Sequence, residues 1–469
     1  MMNTRHSTDA RGLLPRVPRL GLMAAMAALG LSACDSILEV SDRDVVLPET
    51  MEGPTALPAL RAHAIAEFSV AYSAGGSGNA QTLLSGLLAD EFKHTGTFDT
   101  RESIDRRIAL PTNPHVQGSY LLLHRSRAAA ERAADLFQAH GPNTAGHAEV
   151  LSLGGYTYIF FGENWCSGIP VSRQLADGTI EYGEQETTTQ MFNRALDQFT
   201  DALAAATAAG SSLQENLARL GRARALLGLG RYDEAAAAAA PVPTSFEYVM
   251  YHSETSGRQN NTVWSFNNNQ GRWSVADSEG GNGLPYRSEG RIDGTSPDPR
   301  IPSEHIGLAQ RTGLRPDEHW GQLKFETRAS SIPLATGIEA RLIEAEAALR
   351  QGVAGIASFV SIHNALRATR SLTPLNLVNV TAMSQRQRED LHFRERAYWL
   401  WLTGHRLGDL RRMMWDYGRT QDEIFPVGTH HRGGDYGDYT YFPVAFDEQN
   451  NPLIDNVQCL RDDDSLGRH

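Results

Sequence analysis

The residues that most invite a chemical role are two adjacent histidines, His430 and His431, followed by Asp435 and Asp438. Imidazole and carboxylate groups at short spacing are common metal ligands. The same stretch is rich in Gly and Tyr, which favours a solvated loop, so we predict no metal site here. The sequence also lacks an HExxH motif, a phosphate-binding loop, a GxSxG elbow and a dinucleotide fingerprint. We therefore predict no cofactor.

Paired carboxylates are the remaining catalytic possibility. Asp90-Glu91 and Asp447-Glu448 are adjacent acids, and a glycosidase needs two carboxylates that flank one bond. Neighbours in sequence usually do not face one substrate, so neither pair predicts an active site. Because carboxylate catalysis leaves no local motif, a secreted polysaccharide hydrolase stays an alternative to the non-enzymatic binding protein that we predict.

Aromatic residues interleaved with amides predict a ligand-binding surface. Trp264, Trp273, Tyr286 and Trp320 lie in a stretch rich in Gly, Asn and Ser. Flat rings stack on the C–H faces of sugars, and aromatic residues on loops are often functional. We predict these four as ligand contacts, with anchoring of a long loop to the core as the alternative. Phe98 and Tyr72 are weaker candidates.

The N-terminal residues have the pattern of a secretory signal. Four arginines precede an apolar run at residues 20–31, which is too short to span a bilayer. The run ends in LSAC, which resembles a bacterial lipobox whose cysteine, Cys34, accepts a diacylglycerol. We predict a lipoprotein signal peptide at 1–33 and a lipidated tether at 34–54, with an ordinary secretory signal as the alternative. Membrane attachment would then occur through the lipid alone.

The net charge bears on the class of partner, and the two cysteines other than Cys34 bear on disulfide formation. The net charge of −12 argues against nucleic acid as a partner. Outside the cytoplasm, Cys166 and Cys459 are candidates for a disulfide, and two separate buried thiols are equally compatible with the sequence.

Apolar periodicity predicts a mostly helical chain. The predicted helices cover residues 55–72, 81–88, 115–139, 147–161, 189–209, 216–227, 231–240, 339–350, 354–369 and 391–414. Within 216–240, Leu229-Gly230, Tyr232 and Ala235 match the tetratricopeptide helix–turn–helix pattern. We predict an all-α fold, a tetratricopeptide-like array of helix pairs over 55–469, with an unrelated bundle as the alternative.

Two segments depart from this helical pattern. Residues 241–333 are poor in helical periodicity and read as a loop-rich insertion carrying short strands, one of them at 263–266. Residues 415–469 read as loops and short strands. We expect the insertion to pack on the array and to line one of its faces.

The C-terminal helix carries motifs that resemble a known family. Glu395-Arg396, Leu400, Gly404-His405-Arg406 and Asp409-Leu410-Arg411-Arg412 are similar to the C-terminal signature of the SusD/RagB family, with departures at Trp399 and Thr403. Asp298-Pro299-Arg300 and Phe442-Pro443-Val444 resemble further family segments in the same order. We expect Asp409 to pair with an arginine one turn away, such as Arg406 or Arg412.

The resemblance implies a function. SusD-like proteins are non-catalytic lipoproteins of the bacterial outer surface that capture a nutrient, often an oligosaccharide, for a TonB-dependent transporter barrel. It implies an outer-membrane location and a transporter partner for this chain. A tetratricopeptide-type scaffold that binds peptide is a further alternative.

Overall fold

The computed structural model describes residues 53–175, 177–287, 298–309 and 317–460. The predicted signal peptide and Cys34 lie outside these residues. The helices are α1 Leu57–Tyr72, α2 Gln81–Leu88, α3 Asp99–Asp105, α4 Pro114–His140, α5 Ala145–Asn164, α6 Thr188–Ala208, α7 Ser212–Gly228, α8 Tyr232–Ala239, α9 Thr262–Trp264, α10 Gly337–Arg350, α11 Ile356–Ala368, α12 Leu377–Ala382, α13 Gln385–Trp399, α14 Arg406–Tyr417 and α15 Gln421–Ile424.

Local capping chemistry explains where several helices begin. Asn113 accepts a hydrogen bond from the backbone N–H of His115 and precedes Pro114, so α4 starts at the predicted place. The starts of α6 and α13 are capping boxes, in which a Ser or Thr and a Gln three residues later satisfy each other's backbone N–H groups.

The helices form the predicted array. Helix α4 packs on α1 and α5, α5 packs on α6, and α6 packs on α7. The tetratricopeptide-like pair α7 and α8 follows, and α8 packs on α10, which pairs with α11. The prediction of an all-α tetratricopeptide-like fold with a loop-rich insertion is therefore confirmed.

The strands are short and pair in antiparallel twos. They are β1 Phe92–His94, β2 Ile169–Pro170, β3 Arg173–Gln174, β4 Ile180–Glu181, β5 Gln185–Glu186, β6 Glu247–Met250, β7 Trp273–Val275, β8 Ser303–Leu308, β9 Glu318–Gln322 and β10 Ile332–Thr336. The pairs are β1–β7, β2–β5, β3–β4, β6–β10 and β8–β9. Strand β1 opposes β7 with Phe92 across from Val275, which ties the segment between α2 and α3 to the insertion.

The strand predicted at 263–266 is wrong. Residues Thr262–Trp264 are helical and continue into a π-helical turn, Ser265–Asn269. The side chain of Asn261 accepts a hydrogen bond from the backbone N–H of Trp264 at 3.0 Å. This cap favours a helix start over an extended strand.

The single helix predicted at 391–414 is also wrong, because it is two helices, α13 and α14. Between them, Leu402 has φ 60° and Gly404 has φ 75°. Glycine adopts this left-handed conformation without strain, so Gly404 allows the chain to turn between the two helices. The carboxylate of Glu91 accepts the Leu402 N–H at 2.9 Å and holds the turn.

One continuous core joins array and insertion. Buried apolar side chains of α5, α7 and α14 belong to the same cluster as those of β7, β9 and β10. Among the described residues, no helix combines the length and apolarity needed to cross a bilayer.

Candidate functional site

Two of the four predicted ligand aromatics are core residues. Trp273 and Tyr286 are each 0% exposed. The Trp273 ring meets Phe92 edge-on, and the Tyr286 ring stacks on Trp401 at a centroid distance of 6.2 Å. Their faces are occupied by protein, so the structure gives them the anchoring role that was the alternative.

The other two lie nearer the surface. Trp320 is 7% exposed, with the Arg287 guanidinium 5.2 Å from its ring centroid and the His305 ring on it at 5.4 Å. Trp264 is half-buried, and Arg328 lies 5.4 Å from its ring centroid. Trp264 therefore keeps the most accessible ring of the four.

The two weaker aromatic candidates, Tyr72 and Phe98, differ in exposure. Tyr72 is buried and stacks on Phe160 at 5.5 Å, so it belongs to the core. Phe98 is 45% exposed, and two guanidiniums, those of Arg101 and Arg272, lie 5.0 and 5.1 Å from its ring centroid. Exposure, which the sequence pattern did not reveal, makes Phe98 the better candidate.

Phe98 and Trp264 are linked through one short segment, residues 264–272. The backbone N–H of Arg272 donates to the Phe266 carbonyl at 3.1 Å, and Thr95 N–H donates to the Arg272 carbonyl at 2.8 Å. At the other end, Arg328 donates to the Asn269 side-chain oxygen at 3.3 Å. We call Phe98, Trp264, Asn269, Arg272 and Arg328 the aromatic–arginine cluster.

The electrostatics around the cluster are positive. Burial, together with the charge of Arg272, lowers the pKa of Arg101 to about 10. Burial and the charge of Arg101 together lower the pKa of His115 to about 4, so this imidazole is neutral near pH 7. The cluster thus offers aromatic rings beside charged and amide hydrogen-bond donors, a combination that suits a sugar.

A second candidate surface is a groove of about 940 Å³ bounded by α4, α5, α6 and residues of the segments 171–173 and 181–186. Carboxylates outnumber guanidiniums on its walls; its acidic residues are Glu131, Asp135, Glu181, Glu184, Glu186, Asp197 and Asp201. Arg173 pairs with Asp135 at 3.0 Å, and Arg194 binds Glu186 through two contacts of 2.6 Å. Tyr182, 40% exposed, is its accessible aromatic residue. We call this surface the acidic groove.

The charged side chains of α13 and α14 that belong to the SusD/RagB-like C-terminal motif are buried and paired. Asp409 accepts from Arg412 at 2.7 Å, as predicted, and from Arg396 at 2.9 and 3.0 Å. Arg406 does not pair with Asp409 and instead binds Asp90 at 2.8 and 2.9 Å. Buried charges need such partners, and the pairs join α13, α14 and the residues before β1.

The remaining signature acid joins the insertion to the array. Glu395 accepts from Arg300 at 2.7 Å and from Arg367 of α11 at 2.6 Å, and Arg300 also binds Asp298 at 2.7 Å. All four side chains are buried. These residues hold the helices and the insertion together, which explains their spacing without a ligand.

The prediction of a solvated loop at His430 and His431 is wrong. His430 is buried, and both imidazole Nε2 atoms meet Asp105 Oδ2, at 3.0 and 3.1 Å. Asp435 and Asp438, their neighbours in sequence, are exposed and stand apart from this contact. Asp105 precedes the histidines by 325 and 326 residues, so no local pattern could indicate the pairing.

The disulfide candidates are joined. Cys166, at the turn after α5, is bonded to Cys459, and their Cα atoms are 5.6 Å apart. The bond lies among backbone contacts between the same segments, since Leu460 N–H donates to the Ser167 carbonyl at 2.9 Å.

Comparison with solved structures identifies the fold. A SusD-like carbohydrate binding protein from Bacteroides vulgatus aligns over 76% of this chain and 83% of its own, with a TM-score of 0.57 and 14% identity. A SusD-like protein from Bacteroides fragilis aligns over 87% and 97%, with a TM-score of 0.62 and 12% identity. A SusD superfamily protein from Bacteroides thetaiotaomicron aligns over 86% and 100%, with a TM-score of 0.57 and 14% identity.

Comparison at the level of sequence gives less. No protein-family model matches this chain, and no curated protein matches it. At such low identity the structural similarity establishes the fold, and the predicted SusD-like resemblance is confirmed at that level.

Proposed function

With a SusD-like fold as the premise, we propose that this protein is a lipid-anchored binding protein of the outer bacterial surface that captures an oligosaccharide without altering it. The observation that carries the proposal is the similarity of fold over most of the chain to proteins of which one is described as carbohydrate-binding. The lipobox-like LSAC at Cys34 supports the anchor, although it lies outside the described residues.

The aromatic–arginine cluster is the ligand surface in this proposal. Phe98 and Trp264 supply accessible rings for the C–H face of a sugar, and Asn269, Arg272 and Arg328 supply donors for its hydroxyl groups. Trp320 would join the contact if His305 and Arg287 moved away from its ring.

Titration calorimetry of the full-length protein in detergent against a panel of oligosaccharides tests the proposal. At least one should bind, and Phe98→Ala and Trp264→Ala should each weaken it about tenfold through lost stacking. Tyr182→Ala, an exposed aromatic in the acidic groove, is the matched control and should bind normally. Failure of every oligosaccharide to bind, or release of shorter products, would contradict the proposal.

Delivery to a transporter is the second part of the proposal. We propose that the bound solute passes to a TonB-dependent barrel in the outer membrane. Mild crosslinking of native membranes should recover a barrel protein with this chain, and the intact mass of the mature protein should include a diacylglycerol on Cys34. An unmodified Cys34, or recovery without any barrel protein, would count against this part.

The acidic groove favours one alternative function, a scaffold that binds peptide. Its carboxylates would attract a basic segment, and its volume of about 940 Å³ would admit several side chains. In that case a basic peptide would bind, Tyr182→Ala would weaken it, and the Phe98 and Trp264 variants would not.

A further inference from the structure

Three side chains that could ligate a metal ion converge between two distant parts of the chain. Asp105 ends α3, while His430 and His431 lie in the segment that follows α15. One ligand atom from each residue lies within 4.8 Å of the other two. We call these three residues the histidine–aspartate cluster.

The cluster is enclosed rather than exposed. The side chains of Asp105 and His430 are 4% and 0% exposed, and that of His431 is 13% exposed. The backbone N–H of His94 donates to Asp105 Oδ2 at 2.8 Å, which fixes the carboxylate. The ligand atoms are therefore held by the fold and do not depend on a mobile surface loop.

A second layer of charges surrounds the cluster. Asp317 Oδ1 lies 3.5 Å from His431 Nδ1, the relation by which a carboxylate commonly orients a metal-bound imidazole. Arg432 holds Asp317 at 2.9 Å and Glu102 at 2.9 Å, and Arg106 also pairs with Glu102 at 2.7 Å. The ammonium of Lys93 also acts on His431, so the charges around the cluster are close to balanced and the ligand geometry itself has to favour the ion.

We propose that the histidine–aspartate cluster binds a divalent transition-metal ion of the Zn²⁺ class. Two imidazole nitrogens and one carboxylate oxygen suit such ions, whereas Ca²⁺ and Mg²⁺ prefer oxygen ligands alone. Ligand atoms of a tetrahedral zinc site stand about 3.3 Å apart. The two Nε2–Oδ2 distances, 3.0 and 3.1 Å, need to open by only a few tenths of an ångström.

The competing account is a hydrogen-bonded cluster without metal. The Nε2–H group of each imidazole donates a hydrogen bond to Asp105 Oδ2, and the backbone N–H of Arg432 donates one to His430 Nδ1 at 3.3 Å. Metal binding to Nε2 places the proton of a neutral imidazole on Nδ1, so this last hydrogen bond would be lost. The ion therefore binds less tightly than in a site where the Nδ1–H group of every metal-bound imidazole meets an acceptor.

Metal binding would crosslink two segments of the chain and so stabilise the fold. The ion would join α3 to the segment that follows α15, on parts of the chain 325 residues apart. A ligand that binds only the folded state stabilises it, so the metal should raise the melting temperature.

The test is metal binding by the full-length protein in detergent, stripped with a chelator and then titrated with ZnCl₂. We expect one Zn²⁺ per chain and a rise in melting temperature that the chelator reverses. His431→Ala should abolish both effects, while His305→Ala, an exposed histidine on β8, should retain them. Because His431→Ala also removes a hydrogen bond, the readout is the metal-induced shift rather than the starting melting temperature.

Asp105→Asn is the second variant, since it keeps the shape of the side chain and removes its charge. It should weaken Zn²⁺ at least tenfold, and Co²⁺ in the parent protein should give the absorption of a tetrahedral site that this variant lacks. Absence of saturable Zn²⁺ binding, or equal binding by the His431→Ala protein, would overturn the proposal.

Discussion

Asp90 and Glu91 are neighbours in the chain, yet their carboxylates have different partners. Asp90 binds Arg406 and accepts from Leu284 N–H at 2.9 Å and Tyr286 O–H at 3.2 Å. Glu91 Oε1 accepts only from Leu402 N–H among the described residues, and Oε2 is buried without a hydrogen-bond partner there. Both are 1% exposed, so they do not flank a substrate as a glycosidase pair would.

This difference gives a pH prediction for Glu91. Its pKa is raised from 4.5 to about 8, chiefly by burial and also by the charge of Asp90, against the opposing effect of the Leu402 hydrogen bond. A carboxyl whose pKa is raised on folding stabilises the folded state below pH 4.5 and loses that contribution as the pH rises to about 8. Glu91→Gln removes this titration. The free energy of unfolding of the variant should therefore rise relative to that of the parent by a few kcal/mol between about pH 5 and 8.5.

Denaturant unfolding of both proteins across that range measures the difference. Glu304→Gln, an exposed residue on β8, is the control and should follow the parent curve. Parallel curves for Glu91→Gln and the parent would show that the carboxyl does not stay protonated in the fold.

At the scale of elements, small residues allow α5 and α6 to approach closely. The sequence places two glycines, Gly154 and Gly155, in the middle of α5, where glycine usually weakens a helix. A Cβ atom at Gly155 would lie 2.7 Å from Cζ of Phe199 on α6, whereas a Cβ at Gly154 would meet nothing closer than 3.5 Å. The close packing of α5 on α6 therefore depends on Gly155.

Alanine at each position separates the two effects. Gly155→Ala should lower the free energy of unfolding by about 1–3 kcal/mol, because buried Phe199 must move. Gly154→Ala, one residue away, should be neutral or stabilise by up to about 1 kcal/mol, because alanine favours the helix. Chemical denaturation measures both changes. Equal effects at the two positions would mean that Phe199 adjusts without cost.

At the scale of the whole molecule, the C-terminal segment closes against the end of α5. The backbone of Phe442 exchanges hydrogen bonds with Asn164 and Cys166 at 2.8 and 2.9 Å, and the Cys166–Cys459 bond follows. The disulfide spans 293 residues, so it removes much conformational freedom from the unfolded chain. The bond therefore keeps the C-terminal segment attached to the end of α5 even when the chain unfolds.

Removing the disulfide tests this linkage. Cys459→Ser should lower the free energy of unfolding by about 2–5 kcal/mol, because the unfolded chain regains its freedom. The parent protein in a strong thiol reductant is the control and should show a similar loss. If the thiols of the folded parent react freely with a thiol reagent, or if the substitution changes nothing, the two cysteines are not bonded.

Only part of the candidate site could be predicted from sequence. The pattern found the aromatic-rich insertion, but it could not separate Trp264, which stays accessible, from Trp273 and Tyr286, which pack in the core. Rings in all three positions look alike in sequence, because burial depends on residues such as Phe92 and Trp401 far along the chain.

The sequence by itself determined most of the longer helices, the tetratricopeptide-like pairing and the resemblance in fold, because periodicity and capping act over a few residues. It failed at the break between α13 and α14, where the Leu402 N–H is held by Glu91 from 311 residues away. The tertiary structure alone decided which rings are exposed, that Arg406 pairs with Asp90, and that His430 and His431 meet Asp105. Those outcomes depend on contacts across hundreds of residues, and no local spacing encodes them.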